Sequence, residues 1–397
     1  MKWFSVDSVY DSVRPVYRAG KLIGIFTHTI DFERQVLSTN TRDQVLLVVA
    51  ILMDVYALTV STRVSYSFSN SILLNVGIYC SVNLGIIISL SISLCNRFVV
   101  GRMFRMFKTL DGVDQILKRD GYRLNHQLNH LLSCIYMAVP ILVNFFLMIS
   151  TFFIVQDQSS QQFTATEMVV FLRSSLVFTI FGSYITVALT TIYMRFRALN
   201  KMIRFLCSEK FPTTRTADPY KHSNSSVTEV VGIVRCIGDI HERLSETIVD
   251  FNYCFALQIL LMMASAFGYT LFSIFGLIHA FSQVEEDESH QVSMNNMVYG
   301  CIYLSFIIQV VVAGSLVTKE CKRTVIFVHK AVCYGYYDMP ILLKIKFLSQ
   351  QLRSVAPRVS CLLFDFEWPF LVSVAATLVM HVVILVQFDL SIIANKV

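Results

Sequence analysis

Residues Pro369–Phe388 read PFLVSVAATLVMHVVILVQF, twenty positions without a formal charge. At about 1.5 Å of rise per residue, such a helix is about 30 Å long, the thickness of a bilayer's hydrocarbon core. Near its end, His381, Ile384, Gln387 and Phe388 are spaced i, i+3, i+6 and i+7, which places them on one helical face. An amide at that depth needs a partner or water, because an unpaired polar group in lipid costs several kcal/mol. Two structures satisfy Gln387. One is a helix packed in a bundle with the amide bonded to a neighbour. The other is a pore-lining helix, in which apolar rings block ions and a Gln ring faces water.

The rest of the chain has the same apolar character. Of 397 residues, 55% are hydrophobic and 15% charged, with a mean hydropathy of +0.59. Soluble domains carry about 25% charged residues, so this composition belongs to a polytopic membrane protein. No cleavable signal peptide is recognisable at the start, so the first apolar span is expected to direct insertion. Seven spans follow from hydropathy: 44–62, 72–95, 131–155, 168–194, 252–281, 297–317 and 369–389. Ahead of them, within residues 1–43, Arg14–Phe26 is too short and too charged to cross and predicts an interfacial or re-entrant helix.

The connections alternate in charge. Residues 1–43, 96–130, 195–251 and 318–368 carry six, seven, nine and eight Lys/Arg, thirty in all. The other set holds Arg63 and Lys396 alone, and Arg173 lies inside the fourth span. By the positive-inside rule the N-terminus is cytosolic, and seven spans then put the tail 390–397 outside the cell. The modest net charge of +6 therefore reads as a topology signal, with no nucleic-acid surface. An Asn224-Ser225-Ser226 sequon falls in a segment placed in the cytosol and is read as a chance match. Within 195–251, Pro212–Glu229 reads as a flexible loop. Beyond it, Val231, Val234, Ile237, Ile240, Leu244 and Ile248 recur at helical steps, so the fifth helix projects below the membrane. Segment 318–368 alternates apolar and basic blocks and is expected to pack with that projection.

Enzymatic chemistry is not expected. The chain has no phosphate-cradling Gly loop, no H-E-x-x-H and no C-x-x-C, and no cofactor or metal is implied. Asp54 and Arg173 are the strongly charged residues well inside spans. Asp54 reads either as a buried partner for a neighbouring helix or as a functional group. Arg173 reads either as a snorkelling side chain or as the anchor of an outward-facing pocket. The outer halves of the helices are rich in aromatics, among them Tyr269, Phe272, Tyr299 and Tyr303. These fit an interfacial belt or, together with Arg173, a ligand pocket.

Three short stretches carry a family resemblance: FLSQQL (Phe347–Leu352), CLLFDFEWPFL (Cys361–Leu371) and MHVVILVQF (Met380–Phe388). Together they resemble the C-terminal signature of the insect gustatory receptors, within the insect chemoreceptor superfamily. Phe347 and Gln350 match its F-x-x-Q. Cys361, Leu363, Phe364, Asp365 and Trp368 match its C-G-L-F-D-x-x-W-like stretch, and Gln387-Phe388 match its closing Q-F. Pro15, Tyr17, Arg18 and Gly20 look like the family's opening. Met380-His381 stand where Thr-Tyr is usual, and Leu362 replaces a Gly.

The resemblance implies an all-α, seven-helix, ligand-gated cation channel of the plasma membrane. It would be a homotetramer or a heteromer with related subunits. Residues 44–317 would form the ligand-binding bundle, 318–368 a cytosolic anchor carrying Phe347, Gln350, Phe364, Asp365 and Trp368, and 369–389 the pore helix. Ile384, Gln387, Phe388 and His381 would line its gate. The ligand would be a tastant, with the short chain favouring a bitter or aversive compound over a sugar. Two other classes fit less well. A secondary transporter lacks support from inverted repeats or paired Gly/Pro-broken helices. A G-protein-coupled receptor would place its N-terminus outside and show Asp-Arg-Tyr and Asn-Pro-x-x-Tyr motifs, which this chain lacks.

Overall fold

The computed structural model describes residues 6–31, 36–63, 71–158, 165–209, 227–282, 287–334, 338–354 and 357–394. They are nearly all helical. In order come α1 (Val9–Leu22), a two-stranded antiparallel ribbon of β1 (Thr29–Asp31) and β2 (Val36–Ser38), α2 (Thr41–Arg63), α3 (Ile72–Arg119) and α4 (His126–Gln158). Then come α5 (Ala165–Glu209), α6 (Val227–Ser282), α7 (Asp287–Tyr334), α8 (Met339–Ser354) and α9 (Trp368–Ala394). Seven of them, α2 to α7 and α9, are long and apolar enough to cross a membrane.

The expected spans fall on these seven helices, but four helices run far past them. The connections 96–130 and 195–251 are largely continuations of α3, α5 and α6, and 318–334 continues α7, where the sequence reading had only α6 projecting. A hydropathy window ends where charges begin, but the backbone ladder does not. It continues as long as one stripe of side chains finds a core. On α6, Ile237, Ile240, Leu244 and Ile248 form that stripe and are buried. The Asn224 sequon and most of Pro212–Glu229 lie outside the described residues.

α5 is the hub. Its span is 78% buried, whereas that of α9 is 11% buried. Phe181 and Tyr184 of α5 pack edge-on against Phe255 of α6, and Phe26 leans on Tyr184 at 4.8 Å between ring centres. Phe26 arrives there because α1, at the site of the expected interfacial or re-entrant helix, packs against the bundle. It starts at Val9 behind an Ser8 N-cap, earlier than expected, and buries Val9, Val13, Val16 and Tyr17 against α4 and α5. The chain then turns at Gly24, whose φ of +83° suits a residue without Cβ, and inserts Ile25 and Phe26.

At the Lys/Arg-rich end, the helix extensions are joined by buried polar nodes. Arg195 (α5) donates to Asp114 (α3) at 2.5 Å, and Asn200 (α5) donates to Glu320 (α7) at 2.8 Å. These nodes satisfy charges that would otherwise be buried without partners. α8 lies against α6 and α7 through Ile341, Ile345, Leu348 and Leu352.

Candidate functional site

At the opposite, Lys/Arg-poor end, α3, α6 and α7 surround a small cavity. Leu74, Ile78 and Ser81 line it from α3, Tyr269, Phe272, Ser273 and Gly276 from α6, and Val292, Ser293 and Asn296 from α7. The empty core is about 10 Å³, room for about one water. The lining carries no formal charge. Its polar groups are hydroxyls and one amide, set against an apolar floor of Leu74, Ile78, Phe272 and Val292. Such a surface accommodates an uncharged molecule with an apolar body and one or two hydrogen-bonding groups.

Of the five predicted pocket residues, the fold brings four together. Tyr269 and Phe272 border the cavity, and Tyr269 faces Tyr303 at 4.6 Å and Tyr299 at 6.2 Å. Phe178 of α5 closes the cluster edge-on to Tyr303. The Tyr299 hydroxyl lies 3.5 Å from Thr151, which accepts from Asn295 at 2.9 Å. Arg173 is elsewhere. It is buried in an ion pair with Asp54 of α2, whose carboxylate also accepts from Ser89 of α3 at 3.0 Å. An unpaired guanidinium in the bundle would carry a large desolvation penalty, so the carboxylate fixes its position. Arg173 thus neither snorkels nor anchors the pocket; it links α2 to α5.

The cavity wall continues to α9. Leu74, Ile78 and Phe275 form one buried cluster, against which Phe272, Leu385 and Val386 pack. A second cluster joins Leu271 to Leu378 and Val382. Leu378, Val382, Leu385 and Val386 are thus the seated face of α9. Ile384, Gln387 and Phe388 lie on the open side, exposed together with Val379, Met380 and Val383. His381 sits at the border, half-buried, with its ring edge-on to Phe267 at 6.1 Å and Nδ1 2.8 Å from the Thr377 carbonyl. The structure therefore groups three of the four predicted gate residues on one open face and turns the fourth toward α6.

The motif residues at the other end divide in the same way. Phe347 and Gln350 are on the exposed side of α8. Phe364 stacks on Phe370 at 4.0 Å, Asp365 accepts from Arg358 at 2.9 Å, and Trp368 opens α9 with its side chain exposed. Leu362, at the motif's Gly position, has φ +57°. That is the left-handed region a glycine occupies without strain.

Sequence reading missed Gly77, Ser273, Ser293 and Asn296, small or polar residues without a distinguishing pattern. It also missed Asp389, read as the edge of a span. Its offsets of four and seven from Leu385 and Val382 place it on the seated face, and its carboxylate is buried there. Among the described residues, no group of three His, Cys, Asp or Glu side chains is placed to hold a metal.

A family model described as 7tm Chemosensory receptor matches residues 13–392. The insect olfactory receptor OR5 from Machilis hrabei is similar in structure, with a TM-score of 0.67 at 11% identity over 95% of this chain and 97% of that one. Its complex with eugenol gives a TM-score of 0.58 at 14% identity, covering 96% and 99%. At that identity the likeness concerns the fold. No curated protein matches by sequence.

Proposed function

The chain belongs to the 7tm chemosensory receptor family, and from that premise we propose that it is a gustatory receptor acting as a tastant-gated, non-selective cation channel of the plasma membrane. The N-terminus faces the cytosol, a topology supported by thirty Lys/Arg in the long connections against two in the short ones. Four copies, or copies of this chain with related subunits, bring their α9 helices around a central axis. Ile384 and Phe388 form apolar rings there, and Gln387 a polar one. α8 and the following linker form the cytosolic anchor, and the bundle α2–α7 receives the ligand.

One observation carries this reading: α9 is the most apolar of the seven spans and the least covered. Lipid alone would be content with that face, but a glutamine on it would not. A shared water-filled axis accommodates Gln387 and the apolar rings together.

The ligand enters between α3, α6 and α7 and displaces Phe272 or its neighbours, because the resting cavity has room for about one water. A small, uncharged amphiphile of eugenol's kind, as held by the Machilis receptor, suits hydroxyl and amide groups around an apolar floor. Displaced Phe272 pushes on Leu385 and Val386 and shifts α9 outward. The test is current recorded from cells expressing the chain, alone and with related receptors, during a screen of bitter and aromatic compounds. Ligand-evoked cation current whose selectivity changes with Gln387→Ala supports the proposal. Substrate flux without unitary currents would replace it with a transporter.

A further inference from the structure

Asp389 directly follows Phe388 and is buried. Its carboxylate accepts a hydrogen bond from Ser71 Oγ at 2.8 Å and another from His279 Nδ1 at 2.6 Å. A carboxylate has no proton to give, so both partners donate. The partners belong to different helices, and each is three residues from one that lines the cavity. Ser71 is the N-cap of α3, three residues before Leu74 and seven before Ile78. His279 lies three residues beyond Gly276 on α6, with its ring 6.2 Å from that of Phe275. One side chain at the gate end of α9 is therefore held by both helices between which the ligand is placed.

We propose that Ser71, Asp389 and His279 form a latch that holds α9 in the closed register and releases it when ligand spreads α3 from α6. This rests on the channel reading above and adds the element that couples pocket to gate. The buried carboxylate needs both donors, because an unpartnered charge in the bundle is unfavourable. Two donors on separate helices satisfy it only while those helices keep their spacing. A ligand wedged against Leu74, Ile78 and Gly276 acts within two turns of both donors. Hydrophobic contacts of Leu378 and Val382 slide at little cost, whereas directed hydrogen bonds do not. The latch therefore supplies the threshold that apolar packing alone lacks. Asp389 is a positioning residue; it lies on the seated face, away from Gln387.

The full chain in cells tests this through current without ligand, normalised to surface copies. Asp389→Ala is expected to raise ligand-free current roughly tenfold, since charge-assisted hydrogen bonds are lost. His279→Gln weakens the same tie from α6, and unitary conductance stays unchanged in both. A purely structural role would lower surface level and leave the current per copy alone. Ligand-free current at the wild-type level in both surface-expressed variants overturns the latch.

Should Asp389→Ala fail to reach the surface, Asp389→Cys with the native His279 makes a thiolate–imidazole pair that Cd²⁺ bridges. Cd²⁺ then suppresses the current of this variant and spares both the wild type and Asp389→Cys/His279→Ala. Indifference of Asp389→Cys to Cd²⁺ overturns the latch. A surface-expressed wild type that conducts with no tested compound, alone or with related receptors, removes the channel reading instead. The tie is then judged by whether Cd²⁺ protects the Asp389→Cys thiol from maleimide in a His279-dependent way.

Discussion

Phe272 fills the notch left by the missing side chain of Gly77: a Cβ built on Gly77 would come within 2.2 Å of the ring. The ring is thus held between α3, the cavity and the α9 contacts of Leu385 and Val386. Gly77→Ala forces the ring off α3 into the cavity it borders. Ligand sensitivity is expected to fall roughly tenfold or more, about 1.4 kcal/mol, with surface expression retained. A dose–response curve for an active compound checks this; unchanged sensitivity would show that the ring is not part of the pocket.

The buried Arg173–Asp54 pair makes a prediction about stability. Arg173→Met or Asp54→Leu alone leaves a buried charge without its partner and should destabilise by about 3–5 kcal/mol. The double variant Asp54→Leu/Arg173→Met removes both charges and should recover most of that loss. Thermal melting of the purified protein in nanodiscs measures the cycle. Additive losses would mean that the pair is not coupled.

The two faces of α9 should respond differently to substitution. On the open face, Ile384→Ala is expected to raise leak current and Gln387→Ala to change relative cation permeability, both with near-normal expression. On the seated face, Leu378→Ala removes packing worth about 2–5 kcal/mol and should lower the amount of folded protein. Expression and reversal potentials together separate the two outcomes.

His241, in the α6 extension, is buried edge-on to Phe196. Burial pushes its imidazole from the ordinary 6.5 down to about 4. The folded chain therefore binds this proton less readily than the unfolded chain. Its contribution is fully present above about pH 6.5 and declines by about 1.4 kcal/mol per pH unit as pH falls toward about 4. Melting temperatures across that window should slope less steeply for His241→Gln than for the wild type.

Leu362 sits at φ +57° with its side chain exposed. A branched residue in that region is strained by about 1–2 kcal/mol, and little packing is lost on removing it. Leu362→Gly is expected to stabilise the linker before α9 by about 1 kcal/mol, after the greater unfolded-state freedom of glycine is subtracted. Thermal melting reads this directly, and a lower melting temperature would refute it.

Seven membrane-length helices were legible because hydrophobicity over about twenty residues is a local property, set by the residues themselves. The grouping of Ile384, Gln387 and Phe388 was legible for a similar reason, since 3.6 residues per turn fixes which side chains share a face. His381 was placed with them by the same spacing, but it lies at the face's edge, where the neighbouring Phe267 decides its direction. The reach of α3, α5 and α7 beyond the bilayer was not legible from hydropathy, because amphipathic helix and basic loop have similar averages over a window.

Arg173 shows the limit most plainly. Its charge marked it as a residue needing a partner, and no one-dimensional pattern says that the partner is Asp54, 119 positions away. Asp389 is the same case, tied to Ser71 across 318 positions. By itself the amino-acid sequence determined which segments are apolar enough for lipid and which face of the last helix holds the glutamine. Tertiary structure alone decided which buried charges meet, which small residues admit an aromatic ring, and which side of α9 stays open. Those outcomes depend on contacts between helices whose relative rotation and depth are set by packing, not by any local property of the chain.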